Sequence, residues 1–188
     1  LFDKARGPGG RLASKTIANS TVDMGAQYFT MRNPHFPQFL KLHAGKNSVK
    51  VWNAQLRYQH PDGEWTDFLK ETRYVGTPRM SAISRALSKG LNLNFNTRIE
   101  RLIPQGKQWL LEDEKDQQHG AFDLVLCTAP MAQTQALWQA SDLQGLPDYE
   151  KIGQHPLLPC WAVALYFPTG TGISAAGLQP QDEKLAWC

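Results

Sequence analysis

The chain has 188 residues, of which 41% are hydrophobic and 20% are charged, and its formal net charge is +3. These fractions are typical of a globular protein, and the length suffices for one or two domains with cores of their own. The small cationic surplus forms no basic run or basic-aromatic stripe, which excludes the usual footprint of a nucleic-acid partner. No stretch approaches the ~20 apolar residues of a membrane helix, so we expect no membrane span.

The first elements follow from glycine, proline and hydrophobic spacing. Residues 1–11 pass from an apolar strand end into a glycine- and proline-rich turn, and a short extended segment surrounds Gly25. Apolar residues at helical spacing predict a helix over about 33–47. Residues 49–68 alternate like paired strands around His60-Pro61-Asp62-Gly63, which is a strong turn signal.

A second helix and a hairpin are predicted next. The segment from Thr77 places Ser81 at the N-cap of a helix that Gly90 closes. Residues 93–103 then form a strand that turns at Gln105-Gly106 and returns as residues 107–114. We therefore expect an antiparallel pair in this part of the chain.

The last third predicts a buried strand and a change of sheet. A further turn near His119-Gly120 leads into residues 122–129, whose continuous apolar run is typical of a strand buried on both faces of an α/β domain. A helix over 132–138 follows, and residues 159–167 predict a strand of a second sheet. This order favours two interleaved domains. Both ends of the sequence have strand character and read as cut.

The side chains that bind metals form no recognisable pattern. Cys127, Cys160 and Cys188 are far apart and outside any CxxC arrangement, which disfavours a structural zinc and a disulfide framework. We expect no metal site and a reducing, cytoplasmic setting. The histidines lack a carboxylate or histidine at ligand spacing, so structural or exposed roles are expected for all of them. They are His35, His43, His60, His119 and His155.

Four aromatic residues allow two interpretations. Trp52, Tyr58 and Trp65 lie in the predicted strand region, and Tyr74 follows it. They either line a substrate cavity or form the hydrophobic face of a sheet, and the two turns between them favour core packing.

The opening turn carries the residues that suggest a cofactor. Asp3 stands at a strand tip, where an acidic side chain in a nucleotide-binding fold accepts hydrogen bonds from ribose hydroxyls. The alternative is that Asp3 only begins a surface turn. Gly9 and Gly10 let a backbone approach a pyrophosphate closely, and the Arg11 guanidinium can pair with phosphate oxygens.

The run from Asp3 to Arg11 resembles the second FAD motif of the flavin amine oxidase superfamily, in which a strand-end acid precedes a turn ending in Gly-Gly-Arg. Asp23 to Phe29, Gly76 to Ser81 and Asp123 to Pro130 are similar to the renalase-like branch of that superfamily. These matches cover most of residues 1–138, and the last fifty residues match only in general pattern.

The resemblance implies a set of FAD contacts. Asp3 would hold the adenosine ribose, the Gly-Gly-Arg turn would run beside the pyrophosphate, and residues 25–28 would lie along the isoalloxazine. The Ile99 backbone would face the adenine, and residues 128–130 would close over the dinucleotide. For Gln27, Tyr28 and Ile99, plain packing stays open as the alternative. The implied cofactor-binding residues are Asp3, Lys4, Gly9, Gly10, Arg11, Gly25, Ala26, Gln27, Tyr28, Ile99, Thr128, Ala129 and Pro130.

The implied fold is α/β. We expect an incomplete FAD/NAD(P)-binding Rossmann-like domain, residues 1–34 and 92–133, interleaved with an antiparallel-sheet substrate domain, residues 35–91 and 134–188. The first strand and the glycine-rich turn of a dinucleotide fold, expected about 20 residues before the ribose acid, are not among these residues. Weak FAD binding, or none, is therefore expected of this chain alone.

The resemblance implies an oxidoreductase in which FAD accepts a hydride equivalent from a small molecule, either an amine or a reduced nicotinamide, and dioxygen reoxidises the flavin. No residue qualifies as a catalytic base. One alternative is a non-catalytic, truncated remnant of such an enzyme that cannot hold FAD. A fragment of an NAD-binding dehydrogenase is a further alternative, which Gly-Gly-Arg disfavours. The oligomeric state stays open.

Overall fold

The computed structural model describes residues 1–154 and 157–188, so His155 lies outside the described residues. The described residues form short strands and four α-helices. In order they are β1 (Phe2–Asp3), a 3-10 turn (Gly10–Leu12), β2 (Ser14–Ile17), β3 (Ser20–Asp23), α1 (Phe36–His43), β4 (Val49–Val51), β5 (Leu56–Gln59), β6 (Trp65–Asp67), β7 (Tyr74–Gly76), α2 (Ser81–Leu87), β8 (Asn94–Phe95), β9 (Ile99–Gln105), β10 (Gln108–Asp113), β11 (Gln118–Phe122), α3 (Met131–Ala140), α4 (Tyr149–Gly153) and β12 (Gly177–Gln179).

The contacts divide the chain into two compact units, each made of two separate stretches. The first unit comprises Leu1–Pro8 and Gly90–Trp161, and the second comprises Gly9–Lys89 and Ala162–Cys188. This division does not say which part binds a cofactor and which a substrate. The functional domains expected from the sequence therefore stay a prediction.

The first unit combines a parallel strand pair with an antiparallel sheet. β1 runs parallel to β8, with Phe2 opposite Asn94 and Asp3 opposite Phe95. β9, β10 and β11 form a three-stranded antiparallel sheet with β10 in the centre. The predicted hairpin around Gln105-Gly106 is thus confirmed.

A serine attaches α3 to this antiparallel sheet. The Leu102 amide donates to Ser141 Oγ over 2.8 Å, and that hydroxyl donates to the Leu137 carbonyl over 2.6 Å. Leu102 and Leu111, which lie opposite each other in the sheet, are both buried. The serine at the end of α3 therefore satisfies a buried backbone donor that a hydrophobic residue would leave without a partner.

The turn between β10 and β11 is organised by Asp113. Its Oδ1 accepts hydrogen bonds from the Lys115 and Gln117 amides, at 2.8 and 3.0 Å. Its Oδ2 lies 2.9 Å from His119 Nε2. This hydrogen bond is the main reason that the carboxyl pKa of Asp113 is lowered; burial opposes the shift, and the two amide hydrogen bonds add to it. His119 thus has a structural role, as expected from the sequence, and its partner is a carboxylate six residues earlier in the chain.

Two predictions for the first unit were wrong. The second turn lies between Asp113 and Gln118, so His119 and Gly120 are part of strand β11 and not of a turn. Residues 123–129 are not a strand, and Leu124 and Leu126 are 73% and 79% exposed. A strand needs a hydrogen-bonding partner, and within the described residues no strand pairs with this apolar run.

The second unit is built around two helices and three small sheets. β2 pairs with β3, β4 with β7, and β5 lies between β6 and β12. The core contains Leu40 of α1, Ile83 of α2 and Met80, which directly precedes α2. Met80 is fully buried. Both predicted helices and the paired strands around His60-Pro61-Asp62-Gly63 are confirmed.

The N-terminus of α2 is capped from outside the helix. The Met80 amide donates to Asp23 Oδ1 over 3.1 Å, and the Ser81 amide donates to Ser14 Oγ over 3.2 Å. Ser14 Oγ in turn donates to Asp23 over 2.5 Å. The N-cap position is Met80, so the assignment of Ser81 as the capping side chain was wrong by one residue. The β2–β3 hairpin supplies the acceptors that a capping side chain would otherwise provide.

The apolar run 159–167 is not a strand in the structure, contrary to the prediction. Leu158, which precedes it, and Trp161 within it are among the most exposed large hydrophobic residues of the described chain. High strand propensity is not enough here, because no described strand offers this run a hydrogen-bonding edge.

Two further observations concern the described residues only. No helix among them has the length and apolar character to cross a membrane. No group of three or more His, Cys, Asp or Glu side chains comes together among them in an arrangement that could hold a metal ion.

Candidate functional site

Asp3 lies at the carboxyl end of a parallel strand. Its Oδ1 accepts a hydrogen bond from the Ala5 amide over 2.9 Å, and its own carbonyl accepts from the Thr97 amide over 3.1 Å. The Ala5 carbonyl accepts from the Asn96 amide over 3.0 Å. These bonds fix the turn after β1 on the end of β8. The carboxyl ends of parallel strands are where open α/β folds bind their ligands.

Lys4 lies beside the first turn of α3, within the same unit. Its ammonium is 3.4 Å from Gln133 Oε1, and both side chains are exposed. The Pro130 carbonyl accepts from the Gln133 and Thr134 amides, at 2.8 and 2.9 Å. The structure thus brings Lys4 and Pro130, two predicted cofactor residues, to the first turn of one helix.

Thr134 is a positioning residue that the sequence reasoning missed. It is buried, and its hydroxyl donates to the Ala129 carbonyl over 3.0 Å and lies 3.3 Å from Cys127 Sγ. The hydroxyl therefore holds the predicted closing segment, Thr128 to Pro130, against the start of α3. The sequence feature that could have identified Thr134 is its position four residues after the proline that precedes a helix.

Ile99 opens β9 opposite Asp113, where the register of the β9–β10 pair is irregular. Its side chain is half-buried, in agreement with the packing alternative. The idea that its backbone faces an adenine stays a prediction.

The structure joins the two glycine-containing stretches of the second unit. Gly10 has φ +50, which only glycine adopts readily, and begins the 3-10 turn. The Ala26 amide donates to the Arg11 carbonyl over 2.8 Å. A Cβ at Gly25 would lie 2.0 Å from that carbonyl oxygen, so no larger residue fits there without a backbone shift.

The joined surface is accessible. Gly10, Arg11, Gly25, Ala26 and Gln27 are all exposed. Arg11 has no ion-pair partner among the described residues, and a Cβ at Gly10 would meet open space. This surface therefore combines a free guanidinium with a backbone that a phosphate can approach.

Tyr28, which follows this accessible surface in the chain, belongs to an aromatic group. Its ring centroid is 5.5 Å from that of Trp52 and 6.1 Å from that of Trp187, and the guanidinium carbon of Arg73 is 5.4 Å from the Tyr28 centroid. Tyr28 is half-buried in this aromatic group. Its contacts fit the packing alternative, and its predicted contact with a flavin stays a prediction.

Comparisons with known proteins agree with the fold expected from the sequence. The profile of the NAD(P)-binding Rossmann-like domain matches residues 1–42. A mutant putrescine oxidase from a structure-based redesign of cofactor binding has 10% identity and a TM-score of 0.60, over 81% of this chain and 57% of that one. Wild-type putrescine oxidase bound to putrescine has 9% identity and a TM-score of 0.52, over 71% and 53%.

These likenesses concern the fold. At this identity they show an α/β architecture in which a Rossmann-like dinucleotide-binding part is combined with antiparallel sheets, which confirms the predicted fold class. The chain spans little more than half the length of the solved structures it matches.

Proposed function

We propose that this chain forms part of an FAD-dependent oxidoreductase of the flavin amine oxidase superfamily, within its renalase-like branch. The observation that carries the proposal is the close join of Arg11 and Gly25, which builds one accessible surface from two stretches that the resemblance predicts to contact the cofactor. The position of Asp3 at the carboxyl end of a parallel strand is the second support.

The residues present fit the chemistry of a dinucleotide. Asp3 offers a carboxylate to ribose hydroxyls, since only its Oδ1 has a hydrogen-bond partner among the described residues. Gly9, Gly10 and Arg11 offer open backbone and a guanidinium to the pyrophosphate. Ala26 and Gln27, with Gly25, present exposed backbone to the flavin. Near the first turn of α3, further contacts to the dinucleotide would come from Lys4, Thr128, Ala129 and Pro130.

The bound flavin would supply the redox chemistry, accepting a hydride equivalent from the substrate and passing two electrons to dioxygen. The chain's own residues bind and orient the cofactor, and none is assigned a proton-transfer role. An amine and a reduced nicotinamide are both small molecules that fit this reaction. A cytoplasmic location belongs to the same proposal and is supported by the cysteine pattern.

Binding of cofactor fragments tests the proposal. Fluorescence titrations of the chain with FAD and FMN would separate the adenosine end from the flavin end, because FMN lacks the adenosine half. We expect weak but saturable FAD binding. Asp3→Asn should weaken FAD binding about tenfold, the size of a lost hydrogen bond to a charged group, and leave FMN binding unchanged.

Arg11→Gln should weaken the binding of both ligands, since both carry a phosphate at the flavin end. Arg85→Gln is the matched control, because Arg85 is an exposed arginine of α2 outside the proposed site. If the folded chain bound no FAD, the non-catalytic alternative would be favoured. Tighter binding of NAD than of FAD would support the dehydrogenase alternative.

A further inference from the structure

A cleft of about 470 Å³ lies in the second unit. Two segments line it: residues 51–56, from the end of β4 to the start of β5, and residues 67–73, from the end of β6 onward. Trp52 and Phe68 supply half-buried aromatic surface, and Arg73 supplies a guanidinium. The cleft therefore offers both a flat apolar surface and a positive charge.

Within the described part of the chain, Arg73 is held in place by aromatic rings and not by a carboxylate. Its guanidinium carbon lies 5.4 Å from the Tyr28 centroid and 5.5 Å from the Phe68 centroid, which are cation–π distances. Its Nη1 and Nη2 donate to the Glu71 and Leu69 carbonyls over 3.3 and 3.5 Å, longer than a typical N–H···O bond. A negatively charged ligand would form shorter bonds to these donors.

The carboxylates of the cleft already have cationic neighbours. Asp67 Oδ1 lies 3.8 Å from Arg57 Nε and accepts a hydrogen bond from Gln55 over 3.2 Å. Glu71 Oε1 lies 3.6 Å from Arg32 Nε. Arg73 and the exposed Lys70 have no ion-pair partner among the residues that the structure describes. The unbalanced charge of the cleft is therefore positive.

We propose that this cleft binds a planar aromatic anion, with its carboxylate on the Arg73 guanidinium and its ring against Trp52 and Phe68. The rings that flank Arg73 limit its rotamers, so little side-chain entropy is lost when the guanidinium meets a carboxylate. The proposal goes beyond the cofactor site, because no predicted cofactor residue lines the cleft, although the predicted flavin contact Tyr28 packs against Arg73 from outside the lining.

Calorimetric titration with three probes of one shape tests this proposal. The probes are 2-naphthoate, the neutral 2-naphthylmethanol and the cationic 2-naphthylmethylamine. We expect the carboxylate to bind most tightly and the amine least. Arg73→Gln should weaken 2-naphthoate binding about tenfold, the loss expected when a hydrogen bond to a charged group is removed. Arg85→Gln, on the exposed face of α2, should change nothing.

Binding of the neutral probe shows whether the cleft survives the substitution. If Arg73→Gln binds 2-naphthylmethanol as the unsubstituted chain does, its cleft is intact and the loss for 2-naphthoate is specific to charge. Equal affinity of Arg73→Gln and Arg85→Gln for 2-naphthoate would overturn the proposal. Tighter binding of the amine than of the carboxylate would do the same, as would the absence of carboxylate binding.

Discussion

Gly25→Ala tests whether the join between the two glycine-containing stretches stabilises the second unit. The added Cβ would lie 2.0 Å from the Arg11 carbonyl oxygen and 2.7 Å from the carbonyl carbon. Separations below about 3 Å are not tolerated between such atoms, because repulsion rises steeply at short range. The segment of residues 24–26 must therefore move away from residues 11–13.

The cost can be estimated from the hydrogen bonds of the join. The Ala26 amide donates to the Arg11 carbonyl over 2.8 Å, and the Met24 amide donates to the Ala13 carbonyl over 2.9 Å. Losing both costs about 2 kcal/mol, at roughly 1 kcal/mol for each net hydrogen bond. For a chain of this length, that loss lowers the midpoint of thermal unfolding by about 4–8 °C.

Thermal unfolding followed by circular dichroism measures this shift. Gly170→Ala is the matched control, because Gly170 belongs to the same unit and a Cβ there meets nothing within 4 Å. The control should be neutral or slightly stabilising, since alanine reduces the entropy of the unfolded chain. Equal midpoints for Gly25→Ala and Gly170→Ala would refute the close approach. A separate FAD titration of Gly25→Ala and Gly170→Ala would show whether the join also matters for cofactor binding.

Three other predictions follow from the described contacts. Asp23→Ala removes the acceptor that caps α2 and should cost about 1–3 kcal/mol in urea unfolding, whereas Asp23→Asn keeps an oxygen and should cost less. Ser141→Ala leaves the buried Leu102 amide without its acceptor, so hydrogen exchange at that amide should accelerate. The hydrogen bond from His119 lowers the carboxyl pKa of Asp113 below its ordinary 3.8, so its contribution to stability is present above that pH and is lost as the pH falls through the lower folded value. Asp113→Asn should remove this part of the acid sensitivity, and an unchanged dependence of stability on pH below about 4 would contradict it.

Local patterns predicted the elements whose partners are close in sequence. The hairpin of β9 and β10 and the pair of β5 and β6 were predicted because turn residues separate two runs with strand alternation. The helices α1 and α2 were predicted from apolar spacing. The β2–β3 hairpin was missed, because its two-residue loop is Ala18-Asn19, with φ values of +46 and +64, and lacks the usual glycine.

The candidate site was predictable in part for the same reason. Asp3, the glycines and Arg11 form a contiguous motif, so the sequence alone identified them. The approach of Gly25 to Arg11 joins residues on either side of a hairpin that the sequence reasoning did not recognise. Thr134 and Arg73 were not identified, because their roles depend on neighbours brought close only by folding.

The amino-acid sequence by itself determined the α/β class, the turn from Asp3 to Arg11 and the local hairpins and helices, since backbone preference and hydrophobic period act over a few residues. Only the tertiary structure decided that residues 123–129 and 159–167 stay outside the sheets and that Asp23 caps a distant helix. It also decided that Arg73 lies among aromatic rings and pairs with no carboxylate of the described residues. The physical reason is that strand pairing, ion pairing and the capping of a helix by a distant side chain all need a partner from another part of the chain. A local sequence pattern does not identify that partner.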